Sequence, residues 1–124
     1  MVTAEIALAL PTLVLVTVVI LWGVTVASVH LGCADAARSG VRLAARGEPL
    51  PAVRAFIARA VPAGAVIAVR RDGESTRVEI SVPVRPPGTS GFSPLLVRVQ
   101  AMAATEPGVE ADSAGPPSGQ GPAP

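Results

Sequence analysis

Between Glu5 and Asp35 the chain runs through 29 positions that carry no formal charge at neutral pH. The segment is built of Leu, Val, Ile and Ala, with Trp22 as its one aromatic residue. Roughly 20 apolar residues in a helix cross a ~30 Å hydrocarbon core, so the stretch is long enough to span a membrane. Lipid supplies no partner for backbone N–H and C=O groups, which makes such a span helical. We therefore expect a transmembrane helix over residues 1–32, with a carboxylate, Glu5, at its edge.

What remains is small. Residues 33–104 are read as an α+β domain, and roughly 70 residues bury too little surface to be more than marginally stable alone. The domain should pack onto its own helix or onto a neighbour. All ten basic residues are Arg and the net charge is +1, which argues against nucleic acid as a partner. A single cysteine, Cys33, excludes an intrachain disulfide and any multi-cysteine metal site. Three readings of Cys33 stay open: a small residue at a helix interface, an interchain disulfide, or a lipid attachment point after Leu31-Gly32.

The helix should continue past the membrane. Arg38, Arg42 and Arg46 recur at every fourth position and share a face. Ala34, Ala37, Val41 and Ala44 or Ala45 form a small-residue face beside it. Arg46-Gly47 is a plausible C-terminus, with Gly32 and Gly40 as weak points before it. Pro11 removes one backbone donor and its ring crowds the carbonyl of Ala7, which kinks a helix. That kink is either harmless or a flexible point used during assembly.

A second, short helix begins at Pro49-Leu50-Pro51, its apolar stripe Val53, Phe56, Ile57 and Ala60, and ends at Pro62-Ala63-Gly64. Ala65–Arg71 is a strand, and Asp72-Gly73 signals a hairpin whose flanking charges, Arg70, Arg71 and Asp72, should be solvated. In the return strand Val78, Ile80, Val82 and Val84 alternate with polar positions, and Pro83 suggests that its end lies at a sheet edge. A loop from Arg85 to Pro94 precedes a third strand, Leu95 to Ala103. Residues 105–124, rich in Pro and Gly, are expected to be a disordered tail. The fold class is thus α+β: a long N-terminal transmembrane helix, a short helix, a small three-stranded antiparallel sheet and a tail.

No catalytic constellation is apparent. His30, the single histidine, sits at the end of the apolar segment and reads as structural or interfacial. There is no phosphate-binding glycine loop, no metal-ligand cluster and no carboxylate pair in an evident cleft. We expect no enzyme activity, cofactor, metal or small-molecule substrate, and a structural role instead.

Met1-Val2-Thr3-Ala4-Glu5, followed by Ile6 to Leu10 and then Pro11 six positions after the glutamate, resembles the N-terminus of TadE-like proteins. These are minor pseudopilins of tight-adherence, type IV-like pilus systems. Asp35 to Arg42 looks like the Ala/Arg-rich continuation of the family's helix, so the resemblance covers about residues 1–46. It implies processing by a prepilin peptidase and insertion in the cytoplasmic membrane. It also implies assembly with other pilin-like subunits and an inner-membrane platform, the domain lying outside. In pilin-like proteins the glutamate is fifth in the mature chain, which would make Met1 the first mature residue, with a short basic leader upstream.

A carboxylate in the second turn of such a helix calls for a cation at matching depth. The α-amino group of a neighbouring subunit is one, and pairing would fix the axial offset between adjacent helices. The alternative is an interfacial glutamate that snorkels to water. Topology is also open: Arg38, Arg42 and Arg46 follow the span, and the positive-inside rule by itself would put the domain in the cytoplasm. That arrangement belongs to a second reading, a single-pass anchor or accessory subunit unrelated to pili.

Overall fold

The computed structural model describes residues 2–114. In chain order it contains α1 (Val2–Ala45), α2 (Leu50–Ala60), β1 (Val66–Arg71), β2 (Ser75–Val84), β3 (Leu95–Ala104) and β4 (Asp112–Ala114). The α+β class, the long apolar first helix, the short second helix and the antiparallel three-stranded unit are as the sequence indicates.

α1 runs unbroken through Pro11, Gly32 and Gly40 for 44 residues, about 66 Å at the α-helical rise. It ends where Gly47 takes φ +94°, a conformation that side chains with a Cβ rarely adopt. Gly47 N–H donates to Ala44 O at 3.1 Å and Glu48 N–H to Leu43 O at 3.3 Å, the paired bonds of a Schellman cap.

The strands order β3-β2-β1-β4, all antiparallel, with β2 and β1 inside and β3 and β4 at the edges. Rows of inward residues cross the sheet: Ile67–Ile80–Val99, then Val69–Val78–Ala101. Together with Val82 and Val97 they meet Cys33, Ala37, Val41 and Ala44 of α1 and Leu50, Val53 and Ile57 of α2 in one core. The small side chains on α1 bring its axis close to the sheet. Pro83 pairs with Leu96 alone, because β1 begins only opposite Ser81, so a strand neighbour is missing where the proline lacks its donor.

Several local readings change. On α2 the buried stripe is Leu50, Val53 and Ile57, while Phe56 (38% exposed) and Ala60 face outward. The helix lies across both α1 and β1, which rotates its apolar face toward Leu50. Gly40 is not a weak point but the contact between the helices. A Cβ there would lie 2.7 Å from Ile57 Cγ1, and nearer still to its Cδ1. The hairpin turn falls one residue later than Asp72-Gly73: Asp72 N–H donates to Ser75 O at 2.8 Å, leaving Gly73 and Glu74 as the turn residues.

Arg71 is the clearest correction. It is 6% exposed rather than solvated, and its Nε donates to Ala44 O at 2.8 Å while Nη2 donates to Glu48 O. A guanidinium thereby covers the carbonyl end of α1, where the helix dipole favours a cation. Residues 105–114, read as the start of the tail, instead form a turn and β4, which pairs Asp112 to Ala114 with β1. The open edge of β1 offers a ladder to any chain that reaches it. Met1 and the remainder of the expected tail lie outside the described residues.

Candidate functional site: the exposed helix and the adjoining sheet edge

α1 has two halves of different character. From Trp22 onward one face is progressively covered, with Trp22, Val26 and Val29 half-buried and Cys33 onward forming the core. From Val2 to Leu21 every residue is exposed, leaving Leu8, Leu10, Leu13 and Leu15 each at least 60% open. This is one helix long and apolar enough to cross a membrane. Four of its hydroxyls are already satisfied. Thr12, Thr17, Thr25 and Ser28 donate to the carbonyls four residues back, at 2.8, 2.8, 2.9 and 2.9 Å. A helix in lipid needs that, since no solvent acceptor is at hand.

Glu5 stands in the first turn of this exposed half rather than the second, and Pro11 about one and two-thirds turns further on. Neither touches the α+β domain. Among the described residues Glu5 meets no cation. Met1, expected as the processed end, is not among those residues.

The sheet lies beside the second half. β3 is an edge strand, and a cleft between it and α1 is lined first by Gly23, Ala27 and Leu31 with Leu95 and Leu96. It continues past His30, Ala34 and Arg38 with Arg98, Gln100 and Met102. His30 therefore sits at an exposed helix–strand boundary among cations. Among the described residues Arg38 pairs weakly with Asp35 at 3.9 Å, and both side chains are largely in solvent. The order of the lining residues shows that β3 runs alongside α1 in the same direction. The loop from Arg85 to Pro94 thus lies at the end nearer the bare half of the helix.

Cys33 is 1% exposed within the core, and burial raises the pKa of its thiol. That position rules in the first of its three readings: a small apolar residue at a packing interface. At the far end of the domain polar groups are tightly engaged. Thr105 Oγ1 donates to Asp72 O, so the 2.9 Å contact with buried Thr76 is a donation from Thr76. Among the described residues no cluster of His, Cys, Asp and Glu is placed to hold a metal. Nothing in the local sequence signals the Arg71 and Thr76 engagements, which depend on partners more than 20 residues away.

No family model matches the chain, and no solved structure does. Over 106 residues it is 41% identical to a Mycobacterium tuberculosis (strain ATCC 25618 / H37Rv) protein named apoptosis inhibitor Rv3655c. The match takes in 84% of this chain and 78% of that relative. Identity of that degree over most of both chains shows kinship: the chain belongs to the family of this mycobacterial protein.

Proposed function

We propose that the chain is a minor pilin-like subunit of the TadE-like type, held in the cytoplasmic membrane and taking part in assembly of a type IV-like tight-adherence pilus. Its work is structural rather than catalytic. The observation that carries this reading is Glu5, a carboxylate on an exposed apolar helix half with no cation among the described residues. A second subunit packing along that half supplies the missing charge through its α-amino group and fixes the stagger between helices. Small residues at Ala7, Ala9, Gly23 and Ala27 let the backbones approach. The partners are other pilin-like subunits, the inner-membrane assembly platform and, for maturation at Met1, a prepilin peptidase.

The experiment is Glu5→Ala in cells that make the pilus, scored for membrane extraction of the subunit and for filaments by electron microscopy. Unchanged membrane association with loss of filaments is the expected result. Filaments at the unsubstituted level would sink the proposal and favour a plain single-pass anchor. The relative's name favours a further reading, in which the domain inhibits apoptosis. Purified protein that blocks cell death equally well with and without Glu5 would support that role over assembly.

A further inference from the structure

We infer that the domain does not stand clear of the membrane but is seated on it, with Arg85, Phe92, Leu95 and Leu96 resting in the headgroup layer and the span confined to Val2–Leu21. The inference rests on reading α1 as membrane-inserted, and does not depend on the pilus.

Three observations converge. The loop that closes the β2–β3 hairpin climbs the helix: Arg85 and Pro87 line one cleft with Val18, Leu21, Trp22 and Thr25. A loop of backbone and charge does not lie bare in hydrocarbon, so the membrane surface falls at the level of this cleft, between Val18 and Thr25. Second, the described part of the helix below that level, Val2 to Leu21, is 20 residues, all exposed, and about 30 Å long at the helical rise. That equals the thickness of a ~30 Å hydrocarbon core, whereas a span to residue 32 would overshoot it by about 16 Å.

Third, the same end of the domain carries apolar side chains that the protein leaves bare. Phe92 is 70% exposed, and Leu95 and Leu96 are each 46% exposed. Trp22, beside Arg85 and Pro87, has a ring type that concentrates at the membrane–water boundary. Arg85 stands at the same level, where a guanidinium can meet lipid phosphate while its stem stays in apolar surroundings. A protein partner would need a matching surface at membrane depth. The bilayer that α1 enters is continuous with this patch and covers it without one.

The test uses the full chain reconstituted at low density in vesicles of phosphatidylcholine and phosphatidylglycerol, with bromine near the headgroup end or mid-chain of the acyl tails. Trp22 is the single tryptophan, so its quenching reports depth without any substitution. Seated as inferred, it lies about 16 Å from the midplane, against about 8 Å for a span reaching residue 32. Shallow bromine should quench it more strongly than mid-chain bromine. Trp22→Phe/Phe92→Trp should show the same shallow preference, and Trp22→Phe/Leu13→Trp the reverse.

Deep quenching of Trp22 would overturn the boundary. A residue 92 probe open to aqueous iodide would overturn the seating, and one shielded from both iodide and lipid would mean that protein covers the patch, which also overturns it. If the residue 13 probe escapes lipid quenching, the helix is not inserted and the membrane reading falls with the inference.

Discussion

Cys33 sits one helical turn before Ala37 on the face of α1 that meets the sheet, and at 1% exposure it contacts only the protein's own core. Thiolate is the reactive form, and a free cysteine titrates near about 8.5. Burial raises the Cys33 pKa in the folded chain. Maleimide labelling of the folded protein should therefore be slow at neutral pH. Its midpoint should also lie at higher pH than in the denatured chain, where labelling completes; equal rates in both states would contradict the packing. Glycine at the helix end was legible from Arg46-Gly47, because a positive φ leaves a local signature. Arg71 was not. Arginine beside a hairpin turn looks solvated, and its acceptors, Ala44 O and Glu48 O, are brought to it only by tertiary folding. Charged side chains on strand ends carry no sequence mark that separates a cap from a solvated group.

At the scale of elements, period and punctuation located the helices and strands, since alternation along β2 and the prolines around α2 act locally. Which way α2 turns its stripe did not follow, because Phe56 and Leu50 are equally apolar and only the position of α1 selects between them. Gly40 shows the same dependence. Two glycines in one helix look alike in sequence, yet a Cβ added at Gly32 would meet nothing within 4 Å, whereas one at Gly40 meets Ile57. Ile57 is fully buried and cannot swing away. Overpacking costs about 1–3 kcal/mol, against a helix-propensity gain of about 1 kcal/mol for Gly→Ala. Gly40→Ala should lower the thermal midpoint of the full chain in detergent, by a net of about 1 kcal/mol, whereas Gly32→Ala should leave it unchanged or raise it. Far-UV circular dichroism reads both, and a raised midpoint for Gly40→Ala would show that the helices separate freely. β4 escaped the sequence reading because three residues without apolar alternation pair only where a free edge awaits them.

For the whole molecule, the length of the sheet decides how much of the helix is left for lipid. β3 has ten residues, about 33 Å at the strand rise, and Trp22 to Ala45 of α1 measures about 36 Å. The two run side by side and end together, so a longer hairpin would withdraw more of α1 from the bilayer. This bears on orientation. Arginines weigh on topology when they lie within about 15–20 residues of a span's end. With the boundary at Leu21, Arg42 and Arg46 fall beyond that distance and Arg38 is near its limit. The charge argument for a cytoplasmic domain is then much weaker than it looks in the bare sequence, where a span to residue 32 puts all three close by. An external domain is the expected outcome. Glu74 at the exposed hairpin tip is the place to ask, since Glu74→Cys adds a reachable thiol while Cys33 stays silent in the core. A membrane-impermeant maleimide should label this variant in intact spheroplasts and leave the unsubstituted protein unlabelled. Labelling only after lysis would place the domain inside, and an assembly role on the outer face would fall with it.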